Sequence, residues 1–258
     1  MYLVTGIQAS GKSTVAEALA RRLPEPAAHV HGDQFRRWVV TGRADMTPDA
    51  GGPAVQQLRL RHELTARTAD GYAAAGFSVV VQDVVLGPHL DEMITALRTR
   101  PLHVVVLAPR PEVAAQRRAD RDKTTSDAFT SAALDRVLRT ETARRGLWLD
   151  SSDLDVDATV GQILARSAES IVGVPGVVRE WNDSDGHGVV DSAATPGGCW
   201  VHFGAIVADG YRSLTPGGSV TLEWEPVRQD GFAFRGTRVV PHAPGTGSAY
   251  RSALDTRP

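Results

Sequence analysis

Near the start of the chain stands Gly6-Ile7-Gln8-Ala9-Ser10-Gly11-Lys12-Ser13, from which the architecture of the N-terminal part follows. The octet has the form G-x-x-x-x-G-K-[ST]. Its glycines let the backbone wrap close to a phosphate and turn N–H groups inward as donors. The apolar run Tyr2–Thr5 precedes it and the helix-forming stretch Lys12–Leu23 follows. The loop is thereby placed at a helix N-terminus, where anions are favoured. In this setting Gly6, Gln8, Ala9, Ser10, Gly11, Lys12, Ser13 and Thr14 form a nucleotide-binding loop. Lys12 is expected to reach the β- and γ-phosphates and Ser13 to ligate Mg²⁺, so the implied cofactors are ATP, or a similar nucleoside triphosphate, and Mg²⁺.

Outward from the loop, short apolar runs alternate with helical stretches. Strands are expected at Ala28–His31, Phe77–Gln82, Leu102–Leu107 and Leu147–Leu149, and helices at Pro53–Ala75, His89–Arg98, Pro111–Arg121, Ser131–Arg139 and about Asp157–Ser167. Ser78-Val79-Val80-Val81 and His103-Val104-Val105-Val106-Leu107 are continuous apolar runs, as strands covered on both faces require. The alternation predicts an α/β, P-loop NTPase fold with a parallel sheet flanked by helices.

A phosphate-binding loop alone does not fix a reaction, and the strand ends add to it. The second strand runs into Gly32-Asp33-Gln34-Phe35-Arg36, which places a carboxylate at the sheet edge that faces the ligand crevice. Asp33 is there either to orient and deprotonate an acceptor hydroxyl or to cap the next helix. Arg36, one turn on, shares its face. Asp83 ends the third strand as a partner for Mg²⁺ or as a loop cap. Arg117, Arg118, Arg121 and Lys123 follow the fourth strand. Arg117 and Arg121 are helical neighbours and are expected either to act catalytically from a lid or to form a solvated face. The stretch Trp38–Arg61, with Arg43, Gln57, Arg59 and Arg61, is the acceptor-binding region or a plain helical hairpin; Asp33, Arg36, Arg43, Gln57 and Arg59 are the candidate acceptor contacts.

On these residues, roughly 1–170 resemble the small P-loop phosphotransferases: chloramphenicol phosphotransferase, zeta-type toxin kinases and the 5′-kinase of phage polynucleotide kinase. The resemblance implies that Asp33 acts on the acceptor hydroxyl. The Asp33-x-x-Arg36 spacing is most similar to the polynucleotide kinase pattern, in which the Arg binds the acceptor's phosphate.

From about Val172 the texture changes to short alternating segments: Val174–Trp181, Gly188–Asp191, Cys199–Phe203, Ser219–Glu225 and Phe232–Val240. Turns such as Asp183-Ser184-Asp185-Gly186 lie between them. The expected divisions are a domain over 1–171, a small all-β domain over 172–242 and a disordered tail over 243–258. Gly176–Asn182, Gly186–Val190, Trp200-Val201-His202-Phe203 and Gly210–Leu214 resemble the cold-shock domain, an OB-fold barrel. The resemblance implies single-stranded nucleic acid stacked on Trp181, His187, Trp200, His202 and Phe203. Against that, Asp185 stands where the family has a lysine. The region holds no lysine, and its five arginines face eight acids, so counterion release contributes little. Nucleic-acid binding and a docking module both remain open.

The 258 residues carry a net charge of −2, with 42% hydrophobic and 22% charged residues. This is a globular composition with no global pull toward polyanions. The single cysteine, Cys199, excludes an intramolecular disulfide, and no signal-like or bilayer-length apolar run is present, so a cytoplasmic location is expected. The functional readings are γ-phosphoryl transfer to a hydroxyl of a small molecule, 5′-phosphorylation of a polynucleotide, and a nucleic-acid-binding ATPase with water as its acceptor.

Overall fold

The computed structural model describes residues 1–47, 50–119, 128–208 and 210–242. Contacts divide the chain into two compact units, Met1–Val172 and Gly173–Pro258.

In the first unit, strands β1 (Tyr2–Gly6), β2 (Ala27–His31), β3 (Ser78–Gln82), β4 (Leu102–Leu107) and β5 (Leu147–Leu149) pair in parallel in the order β2-β3-β1-β4-β5. Alternate residues serve the two faces. Leu3, Val79, Val81, Val104 and Val106 join a core with α3 (Gly52–Ala74), α4 (His89–Ala96) and Leu138 of α6 (Ala128–Thr140). Tyr2, Val4, Val80, Val105 and Leu107 join a second core with α1 (Lys12–Arg22) and α7 (Val156–Ala165). The apolar runs are therefore strands buried on both sides, as their composition requires. Because every strand of this path points the same way, Gly6, Asp33, Asp83 and the segment after Leu107 gather at one edge of the sheet.

Three features depart from the sequence reading. A five-residue helix, α2 (Asp33–Arg37), follows β2 directly. The final helix stops at Ala165, and a separate short turn of helix, α8 (Ser167–Ser170), follows. Ile171–Val172 then forms β6, which pairs antiparallel with the start of β4, so the sheet is not wholly parallel and Val172 falls within the first unit. The α5 helix spans Pro111–Ala119. Arg121, Lys123 and the tail 243–258 lie outside the described residues.

The second unit is a closed barrel of β7 (Val174–Asn182), β8 (His187–Asp191), β9 (Cys199–His202), β10 (Ser219–Glu225) and β11 (Phe234–Pro241). Its circular order is β7-β8-β9-β11-β10, closed by β10 against β7, with β9 and β11 parallel and the other pairs antiparallel. This is an OB-like arrangement. Its own core includes Val178, Val190, Val201, Leu222 and Val239. Among the described residues no helix is long and apolar enough to cross a membrane.

Candidate functional site

The octet closes on itself. Ser10 N and Lys12 Nζ both donate to the Ile7 carbonyl, at 3.3 and 3.0 Å, and Val15 N donates to Gly11 O at 3.0 Å as α1 begins. Gly6, at φ 150°, lies so close to β4 that a Cβ would run into the Leu107 carbonyl and the Ser10 hydroxyl. Gly11 takes φ 89° and Ala9 φ 60°, a left-handed value that strains a residue with a Cβ. Lys12 is buried, whereas Gln8, Ser13 and Thr14 are exposed. The Ser10 hydroxyl is buried without a hydrogen-bond partner among the described residues.

Beside this loop, Gly32 N donates to the Gln82 carbonyl at 2.9 Å and fastens the ends of β2 and β3 together. Gly32 holds the N-cap position of α2, so the capping alternative for Asp33 does not apply. The Asp33 carboxylate accepts from Arg37 Nε at 2.8 Å, with Arg36 at 3.7 Å and Arg61 at 3.9 Å. Burial opposes its ionisation, but the hydrogen bond from Arg37 and the charges of Arg37, Arg36 and Arg61 outweigh it and hold the pKa below the usual value.

Asp83 is almost wholly buried. Its Oδ1 accepts from Arg61 at 2.8 Å and from Val84 N at 2.7 Å, while Oδ2 has no hydrogen-bond partner among the described residues. Burial raises its pKa, and Arg61, the Val84 amide and Lys12 work in the opposite direction. The helix that follows, α4, is capped at Pro88, so Asp83 is not its cap. Asp33 and Asp83 thus shift in opposite directions although both face Arg61. The cause is solvent: Asp33 keeps partial exposure and several cations, whereas Asp83 is sealed in.

The polar residues of the acceptor region separate by helical face. Gln57 and Arg61, one turn apart on α3, both turn to the site. Gln57 accepts from Ala44 N at 2.9 Å and donates to Gly42 O at 2.8 Å, pinning the loop on both sides of Arg43. Arg59, expected as an acceptor contact, instead pairs with Glu92 of α4 at 2.9 Å. Arg36, expected beside Asp33, gives its hydrogen bond to Asp45 at 2.8 Å, and Arg43 stands 3.6 Å from the same carboxylate. Arg37 was left out of the site by the sequence, and Arg61, named only within the acceptor region, was not expected to join Asp33 and Asp83. Their signals were present as spacings of four from Asp33 and from Gln57.

Arg117 was expected to act from a lid or to lie on a solvated face. It donates to the carbonyls of Ser151 and Ser152, at 2.8 and 3.2 Å, tying α5 to the loop after β5. A broad concavity of about 770 Å³ lined by Glu17, Arg21, Glu25 and His29 lies at the other end of α1 and shares none of the residues above.

On the barrel, His187, Trp200, His202 and Phe203 form a continuous row. Ring centroids are 5.7 Å apart from His187 to Trp200, 5.9 Å from Trp200 to His202 and 4.2 Å from His202 to Phe203. A groove of about 420 Å³ runs beside Trp200 and His202 toward Gln229 and Arg235. Trp181 stands apart from the row. It pairs across from Gly188 on the opposite strand face, packs partly against the barrel core, and donates from Nε1 to Asp183. Glu180 lies in register with Val189 and, through it, with Trp200. Arg179, Arg235 and Arg238 are paired with Asp191, Glu225 and Glu223.

Among solved structures the chain is similar to a sugar kinase from Janibacter sp. HTCC2649, with 19% identity, 66% of this chain and 94% of that chain covered, and a TM-score of 0.48. It is similar to a gluconokinase from Sinorhizobium meliloti 1021, with 23% identity, 65% and 90% covered, and a TM-score of 0.43. It is also similar to the Deinococcus radiodurans tunicamycin resistance protein, with 18% identity, 66% and 96% covered, and a TM-score of 0.47. At these identities none of them bears on what this chain acts on. A search of curated proteins gave no match. A family model described as an AAA domain matches residues 1–143, more than half of the chain. The loop Gly6–Ser13, the strand–loop–helix around it and this match together place the chain in that AAA domain family.

Proposed function

We propose that the protein is an ATP- and Mg²⁺-dependent phosphotransferase that moves the γ-phosphoryl group to a hydroxyl of a small-molecule acceptor. The observation that carries this reading is the pair of carboxylates, Asp33 and Asp83, held by one guanidinium, Arg61, at the sheet edge that also bears Lys12. Phosphoryl transfer passes through a loose transition state, so positioning and charge do most of the work. Lys12 is placed to neutralise phosphate charge. Asp33, kept ionised by its arginines, accepts the hydrogen bond of the acceptor hydroxyl and orients it.

The residues fit a metal. Asp83 Oδ2 is buried and lacks a hydrogen-bond partner, and Ser13 presents a hydroxyl at the start of α1. Among the described residues no cluster of three or more His, Cys, Asp or Glu could hold an ion alone. That fits Mg²⁺, which takes few protein ligands and completes its shell with phosphates and water. Ser13 and Asp83 would hold it, and when bound it would neutralise charge shared by the β- and γ-phosphates.

Asp33→Asn keeps the size of the side chain and loses its charge. Its expected effect is unchanged ATP affinity with transfer lowered on the order of 100-fold. Nucleotide titration and γ-label transfer on the same preparation measure both, and normal transfer would reduce Asp33 to a structural residue.

The aromatic row favours a second reading, in which the barrel is cold-shock-like and the acceptor is the 5′-hydroxyl of a single strand. Stacking of about 1–3 kcal/mol per base would supply its affinity. The paired arginines and Glu180 argue against it, because they leave little net positive charge for a backbone.

A further inference from the structure

We propose that the outer face of the barrel docks a basic segment of a partner protein, an extended stretch with arginine or lysine at alternate positions, and not a nucleic-acid strand. The proposal stands apart from the phosphotransfer reading.

Strand register places the groups. Trp200 on β9 pairs with Val189 on β8, which pairs with Glu180 on β7. On its other side Trp200 pairs with Arg235 on β11, which pairs with Glu225 on β10. Cross-strand partners share a face of the sheet. The neighbouring row on that face is Asn182, His187 and His202. The residues between, Val190, Cys199 and Val201, turn into the core, so His187, Trp200 and His202 stand on the outside of the barrel.

The rings are fixed in place. Phe203 N donates to Gly186 O at 2.8 Å, and a Cβ on Gly186 would come within 2.9 Å of the Phe203 ring. His202 Nδ1 accepts from Gly204 N at 3.2 Å. Phe203 stays 46% exposed. A platform ordered in advance loses little freedom when it is covered.

Charge selects what covers it. Arg235, the cation in the Trp200 row, gives two of its nitrogens to Glu225. Arg179 and Arg238 are likewise spent on Asp191 and Glu223. Glu180 has no salt bridge among the described residues. In the turn that meets Phe203, Asp183 and Asp185 accept from neutral donors, Trp181 Nε1 and Asn182 Nδ2. The aromatic row is thus bordered by carboxylates that no cation neutralises. A phosphodiester backbone laid there is repelled, whereas a cationic side chain is attracted both by the ring faces and by the carboxylates. Trp200 lies 5.7 and 5.9 Å from the rings on either side. Alternate side chains of an extended segment are about 7 Å apart, close enough to set successive cations over successive rings. Gln229 and Thr237, which line the groove beside Trp200, offer polar groups to the segment's backbone.

The test titrates the full chain at low salt against two labelled probes, read by fluorescence anisotropy. One is a peptide with arginine at alternate positions, and the other is a single-stranded oligonucleotide of the same length. The expected result is saturable peptide binding, about fivefold or more tighter than the oligonucleotide, and weakened about fivefold or more in Trp200→Ala and in Phe203→Ala. Neither side chain belongs to the barrel core, and circular dichroism checks that each variant is folded. Glu180→Gln, which removes charge and keeps size, is expected to weaken the peptide and strengthen the oligonucleotide. Absent peptide binding, or peptide binding indifferent to all three substitutions, overturns the proposal. So does an oligonucleotide that binds more tightly than the peptide, which would return the single strand as the occupant.

Discussion

A Cβ at Gly32 would overlap the buried Oδ2 of Asp83 and come within 2.7 Å of its Cγ. Gly32→Ala must therefore displace the carboxylate read as the metal partner. Misplacing a reacting constellation by about 1 Å costs on the order of 100-fold, and a loss of that size in transfer is expected, with a raised Mg²⁺ requirement measured by titrating the ion at saturating ATP. Retained activity at ordinary Mg²⁺ would remove Asp83 from the metal site. His62 makes a different prediction. It is buried with both ring nitrogens lacking hydrogen-bond partners among the described residues, and burial first, then Arg61 and His89, push its pKa from 6.5 to about 3. The unfolded chain then binds a proton that the folded chain refuses, so stability falls as pH drops from 6.5 toward 3, on the order of 5 kcal/mol over the full window. Urea unfolding of His62→Leu at pH 7 and pH 5 should show a smaller acid loss than the parent, and an identical loss would place the titration elsewhere. At this scale the octet was legible from its fixed spacing, and the position of Asp33 at the sheet edge from the strand that runs into it. The sequence did not disclose that Arg36 turns to Asp45, since a spacing of three allows a pairing without compelling it.

The α3 helix organises the site as an element. Its buried side, with His62, Thr65, Ala66 and Ala69, meets the sheet and α4, while Arg61 faces the carboxylates, Gln57 holds the backbone of the 42–44 loop and Arg59 crosses to Glu92. Gln57→Ala should free the 42–44 loop without unfolding the helix. Two part-exposed hydrogen bonds are lost, about 1–2 kcal/mol in sum. The amide of Ala44 should lose its protection in hydrogen exchange while α3 amides keep theirs; unchanged protection at Ala44 would show that the clamp is unnecessary. The helix itself was legible from its length, with Pro53 in its first turn, where proline is tolerated, and helix formers through most of its span. Which of Gln57, Arg59 and Arg61 point inward follows from a period of 3.6 once one contact is known, and only the sheet supplies that contact. The α2 helix has five residues, too few for a periodic signal. The return of Ile171–Val172 onto β4 is decided by the free edge at Leu102–His103, which no local pattern announces.

Across the whole molecule, each unit has its own core, and each core was readable because the apolar pattern changes from continuous runs to alternation near residue 172. The closed order of the barrel depends on the parallel pairing of β9 with β11, a non-local match beyond the reach of spacing. The aromatic row and the paired arginines of the barrel leave its partner as the point at which the two functional readings divide. Transfer to a small-molecule hydroxyl is read from the fate of the γ-phosphoryl group. The full chain is incubated with Mg²⁺, γ-labelled ATP, a metabolite pool and 5′-hydroxyl oligonucleotides, with Lys12→Ala as the control. The prediction is label in a small organic phosphate ester, absent with Lys12→Ala. Label found only in oligonucleotide ends, or only as free phosphate, would contradict it.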